Sequence, residues 1–219
     1  MSTDQQGERQ GQGGYGPGLH LPVVTLVILL VCFAIEGTLV LADIGVIDRP
    51  RLRLLAYEFG GFWPGLLQDW QPNYRAQPAL MFLTYGFLHG GPVHFAINML
   101  TLVSLGNVVN LRVGAVAYAI IYCASILGGA LVFGLLAPTL QPMVGASGAL
   151  FGLAGAILAW QFADSRAAGQ SLVGAWILAA FLLGLNLVMW WAMDGQLAWQ
   201  THLGGFLTGL ALGAWYTRR

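Results

Sequence analysis

The chain has 219 residues, of which 57% are hydrophobic and 8% charged, and its mean hydropathy is +0.70. So little polar surface excludes a water-soluble globule and indicates an all-α, polytopic membrane protein. Net charge is zero, and nine arginines with no lysine offer no broad basic face for nucleic acid.

Residues 1–20 are rich in Gln and Gly and are expected to form a disordered cytoplasmic tail, leaving 21–219 as one transmembrane domain. The apolar run behind the tail exceeds the core of a secretory signal, so the first helix is expected to be retained. A bilayer core about 30 Å thick takes about 20 residues of helix. Six stretches approach that length: Leu21–Ala42, Val93–Val109, Val113–Ala137, Met143–Phe162, Leu172–Ala192 and Thr201–Tyr216. The breaks after the second stretch are compact, so those helices are expected to be antiparallel neighbours in one bundle. Between the first two, residues 43–79 mix Arg49, Arg51 and Arg53 with Leu54, Tyr57, Phe59, Phe62, Trp63 and Trp70. Arginine and aromatic side chains favour the headgroup layer, so this segment is expected to be a loop lying partly in the interface. Arg9, Arg112, Arg166, Arg218 and Arg219 fall on one side of the bundle, against Arg49, Arg51, Arg53 and Arg75 in the first loop. The positive-inside tendency then puts both termini in the cytoplasm, and the expected location is a bacterial cytoplasmic membrane.

Polar residues inside the spans are few: Glu36, His94, Asn98, Asn107, Ser147, Asn186 and His202. Burying such groups in lipid costs several kcal/mol unless they are paired or face a cavity. A serine in a membrane helix commonly packs and bonds back to its own helix. Ser147, however, is flanked by Gly145 and Gly148, which let another chain approach its hydroxyl, and Pro142 upstream suits a helix start. Free backbone N–H groups at a helix start can stabilise an oxyanion. His202 reads alone as an interfacial anchor or a core donor, yet Gly205, Gly209 and Gly213 follow at every fourth position. That stripe allows close backbone contact with the helix carrying Gly148, Gly152 and Gly155, which would bring His202 near Ser147. No aspartate lies in a span near His202, so a dyad is expected, with His202 taking the serine proton as the hydroxyl attacks a carbonyl. His94 and Asn98, spaced i and i+4, share a helix face either as polar contacts between helices or as donors to the same oxyanion. That face supplies too few ligands for a metal. His89 reads as a residue that stabilises its turn, and Glu36 as a neutral acid hydrogen-bonded to the bundle or the first loop.

Taken together, these residues resemble a rhomboid intramembrane serine protease. The resemblance rests on Thr84-Tyr85-Gly86-Phe87-Leu88-His89-Gly90-Gly91 followed by His94 and Asn98, on Gly145-Ala146-Ser147-Gly148, and on His202 with Gly205 and Gly209. It implies a six-transmembrane-helix bundle that cleaves transmembrane protein substrates in the lipid bilayer with neither metal nor cofactor. It further implies Ser147 as nucleophile, His202 as base, and an oxyanion hole of Asn98, His94 and the Ser147 N–H. Phe151 stands where the family usually stacks an aromatic ring on the histidine, and Gly145, Gly148, Gly205 and Gly209 would serve helix packing. The chain departs from the family at Leu80-Met81, where a Trp-Arg pair is frequent, with Arg75 nearby, and at Asn110, where a glutamate is frequent. Trp190, Trp191 and Trp199 flank the loop before His202 and are expected to cap the site or guard lateral access to it. Two other functions fit the composition: a relative that binds membrane clients without cutting them, and a small transporter using Glu36, His94 and His202. No inverted repeat supports the transporter, and Ser147 with His202 favours the enzyme.

Overall fold

The computed structural model describes residues 21–217 apart from 139, 141 and 193. The expected tail at 1–20, together with Arg218 and Arg219, lies outside them.

The described residues form seven α-helices rather than the six expected. They are α1 (Val23–Asp43), α2 (Leu52–Gly60), α3 (Gln77–Thr84), α4 (Pro92–Leu136), α5 (Ser147–Ala167), α6 (Val173–Ala192) and α7 (Trp199–Tyr216). The count differs for two reasons. Part of the segment read as a loop is helical, since α2 and the first residues of α3 lie within it. The expected second and third spans also run together as α4, whose backbone leaves helical geometry at Gly114, with φ 78°. A positive φ of this size favours glycine. Gly106 lies against the hydroxyl of Tyr118, twelve residues later. A straight helix would hold them about 18 Å apart at about 1.5 Å per residue, so the chain doubles back at Gly114. Each leg is then about 33 Å long, enough for the roughly 30 Å hydrocarbon core.

By length and composition α1, α4 and the Val173–Trp191 part of α6 can cross a membrane, which makes the chain an integral membrane protein. α5 and α7 are less apolar because glycines and polar residues line the faces they turn to each other. A Cβ on Gly205 would collide with the carbonyl of Gly148, and one on Gly209 with the carbonyl of Gly152. The two backbones are therefore in contact. Trp160 of α5 adds a bond from its indole N–H to the Gly213 carbonyl at 2.9 Å. α6 leans on α5 and turns most of its side chains outward.

The first loop is fastened to this bundle at two places. Phe62 is fully buried, edge-on to Phe82, Tyr85 and Phe133, and its backbone exchanges two hydrogen bonds of 2.9 Å with Met143, four residues before Ser147. Arg53 of α2 grips both oxygens of Glu36 on α1, at 2.9 and 3.1 Å, and Asp43 at 2.7 Å. It also donates to the His89 carbonyl at 3.2 Å, which accepts the Tyr57 hydroxyl at 2.6 Å as well. Burial lowers the Arg53 pKa, but its bonds to Glu36, Tyr57 and Asp43 more than offset this and leave it raised. Glu36 is thus bonded to the first loop, one of its two expected partners, but through a guanidinium, so it stands in an ion pair rather than as a lone acid. Arg75, next to the Leu80-Met81 departure, is exposed, and Met81 is fully buried.

Candidate functional site

Side chains of α4 and α7 meet at the start of α5, and α6 reaches the α7 side chain there. Ser147 is the first residue of α5, and an N–H there has no acceptor within the helix. The approach is set by Gly145, whose φ of 132° lies in the region that favours glycine and whose N–H donates to the Tyr85 carbonyl at 2.9 Å. A Cβ on Gly145 would stand 2.8 Å from Cε1 of His94 and 3.1 Å from its Nε2. Gly145, expected to serve helix packing and to let another chain approach the hydroxyl, therefore gives His94 of α4 room beside the serine and is not among the glycines of the α5–α7 contact. Gly148, Gly205 and Gly209 do lie in that contact.

The close approach of α5 and α7 brings Ser147 Oγ within 2.9 Å of His202 Nε2. His202 is 2% exposed, and the Phe151 ring stacks on its imidazole at 4.2 Å between centroids with 10° between planes. The other ring nitrogen, Nδ1, lies 2.9 Å from Oδ1 of Asn186 on α6. This third partner was not assigned from sequence. Asn186 stood among the polar residues of the spans, but a lone asparagine in an apolar run carries no local sign of which helix it meets.

On α4, one turn from its start, His94 Nδ1 accepts the backbone N–H of Gly90 at 3.0 Å. That bond leaves the ring proton on Nε2, the edge facing Gly145 and the serine. Asn98 donates one Nδ2–H to the His94 carbonyl at 2.8 Å, and its second N–H has no acceptor among the described residues. His89 packs edge-on against both His94 and Phe95 and is completely buried. Burial and, after it, the neighbouring His94 push the His89 pKa down to about 4, so it is a neutral packing residue. Thr201, whose methyl lies against Gly148, donates its hydroxyl to the Met143 sulfur.

The Nε2 edge of His94 and the serine–histidine pair thus lie close together around Gly145, and Asn98 stands one turn further along α4, bonded to the His94 carbonyl. Ser147 is part-buried. Asp164, near the far end of α5, pairs at 2.7 Å with Arg112 beside the α4 bend. It lies about 26 Å from Ser147 along the helix, within the roughly 30 Å of a hydrocarbon core. Beyond Asn186, a cavity of about 430 Å³ is lined by Trp190, Trp191, Asp194 and Gly195. Trp199 opens α7 and is partly exposed.

A Rhomboid domain model matches residues 76–219. RHOMBOID-like protein 6, mitochondrial, from Arabidopsis thaliana is 30% identical over 148 residues, covering 66% of this chain and 46% of that protein. RHOMBOID-like protein 2 of the same plant is 33% identical over 150 residues, with 66% and 44% covered. Rhomboid-type serine protease 2 of Emericella nidulans is 32% identical over 133 residues, with 60% and 26% covered. The chain spans less than half the length of these relatives. They are eukaryotic, one of them mitochondrial, so they lend no support to a bacterial location. The family match over about two thirds of the sequence, which takes in every residue gathered around Ser147, places the chain in the rhomboid family.

Proposed function

We propose that this chain is an intramembrane serine endopeptidase that hydrolyses peptide bonds in or near transmembrane segments of other membrane proteins. The observation that carries the reading is the 2.9 Å contact between Ser147 Oγ and His202 Nε2. His202 Nε2 takes the hydroxyl proton while Oγ attacks the scissile carbonyl carbon. The negative charge that develops on the carbonyl oxygen is met by the Ser147 N–H, the second Nδ2–H of Asn98 and Nε2–H of His94. One such donor is worth roughly a hundredfold to a thousandfold in rate. As the tetrahedral species collapses, the C–N bond breaks and His202 returns the proton to the departing amine. A water then repeats the sequence against the acyl ester, with His202 as base, and releases the acid and Ser147.

The stack of Phe151 on His202 supports this role, because it holds the imidazole plane while leaving both nitrogens free to bond. Arg112 and Arg166 at the opposite end of the bundle favour the cytoplasmic side for that end, which opens the site toward the other face. Substrate is then a protein segment, held without metal or cofactor. The test is cleavage of a panel of single-span substrates by purified wild type, Ser147→Ala and His202→Ala. Cutting by wild type, lost in both variants, is the expected result. A wild type that binds such segments and cuts none would favour a client-binding protein.

A further inference from the structure

Asn186 is the only hydrogen-bonding side chain on α6 other than the indoles of its tryptophans, in a helix that is otherwise apolar from Val173 to Ala192. A polar amide in a span is expensive unless it is paired, and its partner here is the candidate base. Both nitrogens of His202 are engaged, Nε2 with Ser147 and Nδ1 with Asn186, each at 2.9 Å. A neutral imidazole has one N–H, so these two bonds fix one tautomer. With Oδ1 toward the ring, Nδ1–H donates to Asn186 and the Nε2 lone pair faces the serine. The opposite orientation of the amide would donate to Nδ1 and leave the proton on Nε2, where it cannot be exchanged for the serine's. Phe151 fixes the plane of the ring but not its face: a 180° flip about Cβ–Cγ would keep the stack and break both hydrogen bonds, so the two bonds set the flip.

We propose, building on the protease reading above, that Asn186 is a positioning residue: its Oδ1 accepts Nδ1–H of His202 and holds the imidazole in the tautomer and orientation that accept the Ser147 proton. Asn186 never touches substrate and acts through the histidine alone. It is carried by α6, which leans on α5 and otherwise faces outward. Seating of α6 against the bundle is therefore needed for a competent base, and an outward shift of α6 of about 1 Å removes the bond.

The experiment combines ¹⁵N-histidine NMR with kinetics on the full chain in detergent, using a fluorogenic single-span peptide as substrate. His202 is identified among the four histidines by loss of its signals in His202→Gln. The wild-type ring should carry its proton on Nδ1 alone, and Asn186→Leu should give a mixture of tautomers. Asn186→Leu, an apolar change of similar size, should lower kcat roughly tenfold to a hundredfold with KM within about twofold. Asn186→Asp keeps an acceptor and should recover most of that loss. A wild-type proton on Nε2, or an unchanged kcat in Asn186→Leu, would overturn the proposal. A wild type that fails to cut the peptide counts against the protease reading, while the tautomer still decides the role of Asn186.

Discussion

Gly205→Ala is the most informative single change, because the fold brings two backbones together three residues from His202 and one residue from Ser147. The added methyl would overlap the Gly148 carbonyl oxygen. A methyl carbon and an oxygen need roughly 3.3 Å, so α5 and α7 must separate by about 1 Å or more. That movement is carried directly into the Ser147–His202 contact, stretching 2.9 Å to about 4 Å, beyond hydrogen-bond range. A misplacement of about 1 Å between reacting groups can cost about a hundredfold in rate. Overpacking of the helix contact should also lower stability by about 1–3 kcal/mol. The control is Gly37→Ala on α1, where nothing lies within 4 Å of the new methyl and the helix gains roughly 0.5–1 kcal/mol. The assay pairs kcat on a single-span substrate with thermal unfolding in detergent. A Gly205→Ala variant that keeps kcat within twofold and melts with wild type would refute this coupling of the helix contact to the site.

Removing Arg53 alone, as Arg53→Met, strands the Glu36 carboxylate, which is 3% exposed, and should lower stability by roughly 3 kcal/mol. Adding Glu36→Leu to it should recover much of the loss, as read by the melting temperatures of the single and double variants. His89 supplies a pH dependence: its folded pKa of about 4 lies below the usual 6.5, so the unfolded chain binds more protons between those values. Stability is then full above about pH 6.5 and falls as pH drops toward 4, by up to about 3 kcal/mol, a slope that His89→Phe should flatten. At the cavity beyond Asn186, Trp190→Ala should change the cleavage rate of a membrane-embedded substrate more than that of a short soluble peptide. Equal rates for wild type and variant on the embedded substrate would remove the gating role.

Much of the site can be seen in the sequence, because the chemistry needs small residues in fixed positions and small residues leave a pattern. Gly145 and Gly148 around Ser147, and the stripe Gly205, Gly209 and Gly213 after His202, are visible as spacing. Their partners are not: only the fold shows that Gly205 meets the Gly148 carbonyl while Gly145 makes room for His94. Asn186 stayed unassigned because a hydrogen bond across sixteen residues, from one helix to the next, leaves no periodic trace. The same holds for Glu36, whose partner Arg53 sits seventeen residues on in a segment that composition alone marks as interfacial. Its arginines and aromatics hide α2, and one of the arginines turns inward to lock α1 to the turn carrying His89. The bend comes at Gly114, a few residues after Asn110 and Arg112, because it is the glycine at a positive φ and not the polar residues that ends the leg.

The central claim is that Ser147 is a nucleophile activated by His202, and a fluorophosphonate probe tests it without a substrate. The probe's phosphorus should be attacked by Oγ, and mass spectrometry of the labelled protein should place one adduct on the peptide containing Ser147. Ser147→Ala should take up none, and His202→Ala should label at least a hundredfold more slowly. An adduct at another residue, or equal labelling rates with and without His202, would contradict the account.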